Sequence, residues 1–266
     1  MKPVFFIDYD NTIFSHQTWS IPESAVAALE QLQKDGYKVV LASGRAFRSS
    51  DLPPEFEGRF TPDCLVSSNG ALIEIEGELV WEKYFDPDLQ KRILDYVLEK
   101  NYCLMSGYNG TWYTSNLERF LENASPQRKD LMPKSGEAFL ELYDKRLPSF
   151  FISDTKDVIA DMQAQFPETK LLYMGDNLGG ADIIPRENGK IMGARRILDH
   201  YHTTLENCVA IGDSMNDVEL IEAAGFGVAK GNAMPNVQAR ADYVTADVDH
   251  DGLAQAIEAA RKHFAD

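Results

Sequence analysis

Two aspartates, Asp8 and Asp10, follow directly on the apolar run Val4-Phe5-Phe6-Ile7, and Asn11 and Thr12 come after them. Four consecutive apolar residues, β-branched or aromatic for the most part, predict a fully buried strand that ends in a polar loop. Side chains two apart on an extended chain share a side, so both carboxylates would project at the carboxyl edge of a sheet, where open α/β sheets hold their ligands. Taken alone, the stretch reads first as an Asx turn filled by Asp10 and Asn11. A second acidic loop, Gly212-Asp213-Ser214-Met215-Asn216-Asp217, follows the apolar run Cys208-Val209-Ala210-Ile211. Asp213 and Asp217 lie one turn apart across a predicted helix start, which singly is N-capping at the positive end of a dipole. Together the two loops offer four carboxylates that a doubly wound sheet could gather. Two such charges about 4 Å apart repel by roughly 4 kcal/mol even at an effective dielectric near 20, so a cation must sit among them. Oxygen donors with no His or Cys nearby select a hard ion, and Mg²⁺ is the natural candidate.

The elements that must position these loops alternate between strand and helix. Ser20-Ile21-Pro22-Glu23 has capping-box spacing, and Ala, Val and Leu recur at helical intervals to Asp35, before Gly36. Val39-Val40-Leu41-Ala42 is a second buried strand ending in Ser43-Gly44-Arg45, and Cys64-Leu65-Val66 a third leading into Ser67-Ser68-Asn69-Gly70. This order favours a parallel sheet with right-handed crossovers. From Ala71 it changes. Residues 71–75 and 79–81 predict a hairpin, Asp86-Pro87 caps a helix to about Lys100, and residues 102–106 and 111–115 flank Gly107-Tyr108-Asn109-Gly110 as a second hairpin. Helix at 135–145, strand at 149–152, helix at 155–166 and strands at 170–174 and 181–184 follow. Beyond Pro185 the parallel pattern returns: a helix from Lys190 to Tyr201, the strand 208–211, a helix at 214–224, strands at 226–229 and 242–244, and a closing helix at 251–263. The predicted fold class is α/β, a doubly wound Rossmann-like parallel sheet core over residues 1–81 and 185–266, with an inserted α+β cap-like domain over 82–184.

Two glycine clusters carry no phosphate loop. Residues 175–180 lie between strands and read as a hairpin turn, and Gly225-Phe226-Gly227 lies between a helix and a strand, the reverse of a dinucleotide fingerprint.

Composition narrows the partners. With 42 Asp and Glu against 26 Lys and Arg the net charge is −16, which opposes binding to nucleic acid or to an anionic membrane. An anionic substrate would then need local positive charge from Lys, Arg or a metal. No apolar run approaches the roughly 18 residues of a membrane span and no signal peptide is evident, so the expectation is a cytoplasmic protein. Cys64, Cys103 and Cys208 are widely spaced among apolar neighbours and read as reduced core thiols. The sequence carries no signal for oligomeric state.

In chain order, then, the chemistry-bearing elements are Asp8-x-Asp10-x-Thr12, Ser43, Lys190 at the start of a late helix, and Gly212 to Asp217. This set resembles the signature of the haloacid dehalogenase superfamily of aspartyl-phosphate hydrolases. The inserted segment, Ser68-Asn69-Gly70-Ala71, and the tail Val228-Ala229-Lys230-Gly231-Asn232-Ala233 with Ala241-Asp242-Tyr243-Val244-Thr245 resemble its Cof-type branch, which carries a large α+β cap. The resemblance covers nearly the whole chain. Asn11 stands where the family often has Gly, and Asn tolerates the left-handed conformation.

The resemblance implies a phosphatase. Asp8 would be the nucleophile and Asp10 the acid and base, with Mg²⁺ held by the carboxylates of Asp8 and Asp213 and by the main-chain carbonyl of Asp10, Asp217 being close by. Ser43 with Gly44, and Lys190, would hold the phosphoryl oxygens; Asn216 would orient the loop or those oxygens, and Thr12 and Asn69 would support. The partner would be a small phosphorylated metabolite, sugar phosphates first, with nucleotides or a cofactor phosphate behind. The cap would close as a lid, with Tyr108, Trp112 and Tyr113 as candidate lining, although core packing suits most of them. Two other readings stay open. A phosphomutase would need a second phosphate site among cap cations such as Arg92, Arg119, Arg128 and Arg146, which are scattered. A non-catalytic Mg²⁺-dependent binding or signalling module would need neither Asp10 nor a cap.

Overall fold

The computed structural model describes residues 2–124, 129–174 and 179–265. The chain forms two compact units, Met1–Glu82 with Gly189–Asp266, and Lys83–Asn188. In chain order the first part holds β1 (Val4–Ile7), α1 (Glu23–Lys34), β2 (Lys38–Ala42), β3 (Cys64–Ser67), β4 (Leu72–Ile75) and β5 (Glu78–Glu82). The second unit holds α2 (Pro87–Lys100), β6 (Leu104–Tyr108), β7 (Thr111–Thr114), α3 (Leu117–Asn123), β8 (Phe150–Ile152), α4 (Lys156–Gln165), β9 (Thr169–Tyr173) and β10 (Ala181–Pro185). The first unit resumes with α5 (Lys190–His200), β11 (Cys208–Gly212), α6 (Val218–Ala223), β12 (Phe226–Ala229), α7 (Pro235–Gln238), β13 (Tyr243–Val244) and α8 (Gly252–His263).

The first unit is a single sheet in the order β13-β12-β11-β1-β2-β3-β4-β5. It is parallel from β13 to β3, and β4 and β5 are antiparallel additions. β1 lies between β11 and β2, which explains its unbroken apolar run: Phe5 and Ile7 enter one core with residues of α1 and α8, while Val4 and Phe6 enter the other with residues of α5 and α6. Burying a side chain of that kind contributes about 1.5–3 kcal/mol, so β1 is fixed from both faces. The architecture is α/β with a parallel core sheet, as the residue pattern predicts.

Two local expectations fail for physical reasons. Ser20 and Glu23 make no capping box: α1 begins at Glu23 after Pro22, which has φ −58° and ψ 137° and offers no side-chain cap, while Ser20 is used in a bridge to Ser15. The helix expected from Ser214 begins only at Val218, because Asp217 folds its carboxylate back onto the preceding main chain. The helix expected over 135–145 is present, as the 3₁₀ helix Gly136–Asp144.

The second unit is an antiparallel sheet in the order β7-β6-β8-β10-β9. Asp86 caps α2 by accepting from the main-chain N–H groups of Asp88 and Leu89 at 3.0 and 3.2 Å. Asn109 and Gly110, with φ of 47° and 73°, make the tight β6–β7 turn. α3 was not foreseen from periodicity; Asn116 caps it through the Arg119 N–H at 3.0 Å. The predicted turn at 175–180 lies partly outside the described residues, as does Arg128. The strands flanking that turn pair antiparallel, Ala181 opposite Tyr173. All three cysteines are buried free thiols. Among the described residues no helix is long and apolar enough to cross a membrane.

Candidate active site

Neighbouring parallel strands deliver the site at one edge: Asp8 follows β1, Ser43 follows β2, and Asp213 follows β11. The Asp8 N–H still donates to the Ile211 carbonyl at 2.9 Å, so the nucleophile candidate sits on the last rung of the sheet. Lys190, the first residue of α5, is 1% exposed; its ammonium donates to Asp8 Oδ1 at 2.5 Å and to Asp217 Oδ1 at 2.6 Å. The other Asp8 oxygen, Oδ2, is buried and receives no hydrogen bond among the described residues.

Asp217 is an acceptor on both oxygens. Oδ2 takes the N–H groups of Asp213 and Ser214, each at 3.1 Å, while Oδ1 takes Lys190. It thus closes the loop after β11 and carries the lysine. Gly212 is required beneath it, since a Cβ there would lie 2.3 Å from Asp217 Cγ. Asp213 takes no hydrogen bond on its carboxylate among the described residues. Asp8, Asp213 and Asp217 each place one carboxylate oxygen within 4.8 Å of the others.

The electrostatics follow from burial. Burial pushes the Asp8 carboxyl up to about 7 against the pull of Lys190, and Asp217 and Asp10 add to the rise. Asp213 is raised well above the carboxylate range by burial and then by Asp8 and Asp217. Lys190 moves upward: burial opposes its charge, but Asp217 and Asp8 outweigh burial. One lysine leaves this acid cluster under-neutralised. Hard oxygen donors, one each from Asp8, Asp213 and Asp217, and surplus negative charge fit a divalent ion such as Mg²⁺.

Asp10 lies apart from that cluster in its hydrogen bonding. Arg45 forks it, Nε to Oδ2 at 3.0 Å and Nη2 to Oδ1 at 2.6 Å, and His16 Nε2 meets Oδ1 at 2.6 Å. Burial would raise its pKa, but the His16 bond and the Arg45 charge hold it well below the carboxylate range. The Arg45 guanidinium rests over the rings of Tyr9, Phe14 and Phe47, 4.9 to 5.9 Å from their centroids. Neither Arg45 nor His16 was assigned a role from the sequence. The position of Arg45 directly after Ser43-Gly44 was the available signal; His16 offered none.

The remaining candidates fall into place around the same edge. Ser43 is buried, and its hydroxyl oxygen accepts the Arg45 N–H at 3.0 Å across Gly44. Thr12 is buried with a hydroxyl that finds no partner among the described residues. Asn11 has φ 55°, the left-handed conformation anticipated for it. Asn216 donates to Asn69 Oδ1 at 2.9 Å and accepts the Ser214 hydroxyl at 2.9 Å.

A profile of the haloacid dehalogenase-like hydrolases matches residues 5–257 of the chain. The chain belongs to that family. This haloacid dehalogenase-like hydrolase is 28% identical over 279 residues to phosphatase YwpJ of Bacillus subtilis, covering 93% of this chain and 96% of YwpJ. It is 24% identical over 265 residues to the 5-amino-6-(5-phospho-D-ribitylamino)uracil phosphatase YitU of the same organism, covering 94% of each. The solved structure of the subclass IIB sugar phosphatase BT4131 superimposes with a TM-score of 0.84 at 25% identity, over 100% of this chain and 99% of that one. The chain accordingly stands with the Cof-type phosphatases as a phosphoric monoester hydrolase, and its second sheet is that of a cap domain.

Proposed function

We propose that the protein is a Mg²⁺-dependent phosphatase that hydrolyses small phosphorylated metabolites, sugar phosphates first, through an aspartyl-phosphate on Asp8. The observation that carries this reading is the asymmetry of Asp8: Lys190 holds Oδ1 and leaves Oδ2 buried and without a donor, beside Asp213 and Asp217. A carboxylate is a weak nucleophile, but phosphoryl transfer through a loose transition state asks mainly for positioning and charge neutralisation. The carboxylates of Asp8 and Asp213 and the Asp10 main-chain carbonyl would hold Mg²⁺, which would supply the neutralisation that lets those acids ionise beside a phosphate.

Asp8 Oδ2 forms the bond to phosphorus as the bond to the leaving oxygen breaks, and Asp10 gives that oxygen its proton. Asp10 then takes a proton from water, which attacks phosphorus and releases Asp8. In the folded geometry Asp10 is set as a base by Arg45 and His16, so its acid step requires one of those bonds to loosen. The Ser43 hydroxyl uses its oxygen as acceptor for Arg45 N–H and keeps its proton for a phosphoryl oxygen, with Lys190 adding charge behind Asp8.

Lys83–Asn188 acts in this reading as the cap that excludes water and meets the leaving group. Trp112, 38% exposed, suits that contact, whereas Tyr113 is buried and donates to Glu141. Arg92 pairs with Glu168, Arg119 with Asp154, and Arg146 lies over Tyr84, so these cations are engaged within their own unit and favour hydrolysis over a mutase with a second phosphate site. A small-molecule substrate and a cytoplasmic location belong to the same proposal. A turnover screen over phosphorylated metabolites, with and without Mg²⁺, tests it. Release of inorganic phosphate only with the metal supports it; phosphoryl transfer back to substrate, or a stable phospho-Asp8 without turnover, overturns it.

A further inference from the structure

Three consecutive residues after β3 have positive φ: Ser68 at 48°, Asn69 at 53° and Gly70 at 87°. Asn and Gly adopt the left-handed region readily, but Ser68 does not, so this buried turn is strained at Ser68, and strain of that kind persists where surroundings over-determine it. The surroundings here are the site loops. The Asn69 N–H donates to the Ser43 carbonyl at 3.0 Å, and the Ser68 N–H donates to the Arg45 carbonyl at 2.8 Å. Asn69 Oδ1 accepts from Asn216 at 2.9 Å, and Asn216 in turn takes the Ser214 hydroxyl, one residue from Asp213. Gly70 packs so closely on the residue before Lys190 that a Cβ would lie 2.3 Å from the Gly189 carbonyl oxygen.

We infer that Asn69 is a positioning residue: from its left-handed turn it braces the loop after β2 through main chain and the loop after β11 through Asn216, and so sets the pocket that takes the divalent cation. This inference rests on the metal reading above. It assigns Asn69 no contact with substrate. Losing its side chain should therefore weaken the cation site through Asn216 and not through the fold at large.

The test is calorimetric titration of the metal-free protein with Mg²⁺ alone, using wild type, Asn69→Gly, Asn216→Ala and the double variant, with melting curves of each. Glycine accepts the left-handed backbone and keeps the N–H to Ser43, so the side-chain link to Asn216 is cut while the main-chain brace stays. Each single variant should bind Mg²⁺ about 3- to 10-fold more weakly, the range for one lost hydrogen bond, and the double no more weakly than Asn216→Ala. Asn69→Gly with wild-type Mg²⁺ affinity and only a lower melting temperature overturns the inference, as do losses that multiply in the double variant. If Asn69→Gly does not fold, Asn69→Asp decides: it keeps the accepting oxygen and should bind at least as tightly as wild type, and weaker binding overturns the inference. A wild type that takes no Mg²⁺ overturns both this inference and the metal reading, whereas unaffected variants overturn this one alone.

Discussion

Lys190 holds one oxygen of Asp8 at 2.5 Å and leaves the other bare, so a single side chain both secures the nucleophile candidate and selects which of its atoms is free. The pairing joins the end of β1 to the start of α5, which are 182 positions apart in sequence.

Asp8→Asn should abolish turnover and leave the melting temperature of the protein equal to or above that of wild type, since a buried acid is replaced by a neutral isostere. Steady-state phosphate release and a melting curve check this. A near-normal rate removes Asp8 as nucleophile.

Lys190→Met should cost more stability than an ordinary core substitution. It strips the counter-ion from Asp8 and Asp217, both 5% exposed or less, and breaking a buried pair of this kind costs about 3–5 kcal/mol. Denaturant melts should show that loss at neutral pH, and added Mg²⁺ should recover part of it.

The raised pKa of Asp8 gives a pH signature to the metal-free protein. In the unfolded chain this carboxyl ionises near 3.8; in the folded one it holds its proton up to about 7. The folded state therefore binds more protons between those values, and this contribution to stability is present below pH 3.8 and is lost as pH rises towards 7. Thermal melts across that window should fall with pH in chelator. Mg²⁺ should flatten the fall, because a bound cation favours the ionised acid.

Arg45→Met should shift the acid limb of the rate profile. Arg45 and His16 keep Asp10 ionised to low pH, so removing the guanidinium raises the Asp10 pKa towards the ordinary carboxylate range. The measurement is kcat against pH. The limb assigned to Asp10 should move upward, and an unmoved limb would detach Asp10 from the base step.

Gly70→Ala should destabilise the protein by about 2 kcal/mol or more, because the new Cβ meets the Gly189 carbonyl at a position with φ 87°. A melting curve reads the loss.

Much of this arrangement is legible in the sequence. Apolar runs that stop at a carboxylate or hydroxyl located Asp8, Ser43 and Asp213, because a strand buried on both faces must be apolar along its length and can turn polar only at its end. Lys190 stood out as the residue opening a helix just after the inserted segment, and the structure places its ammonium between Asp8 and Asp217. What escaped was pairing between distant loops. The grip of Arg45 and His16 on Asp10, and of Asn69 on Asn216, follows from strand order and not from spacing along the chain. Asp217 was misplaced in a first helical turn for a related reason: its two oxygens are better satisfied by Lys190 and by the N–H groups of Asp213 and Ser214 than by capping. Pro22, sitting inside the apparent capping box, likewise decided where α1 begins.

The register that sets Val4 beside Cys208 and Ile7 beside Ile211 has a consequence for biogenesis. A polypeptide emerging from the ribosome presents β1 and Asp8 well before β11, the strand that flanks β1 on one side. Until then β1 has an open edge and its acids lack their lysine. Closing so long a loop is slow, and the nascent chain must carry an unfinished sheet until β11 emerges.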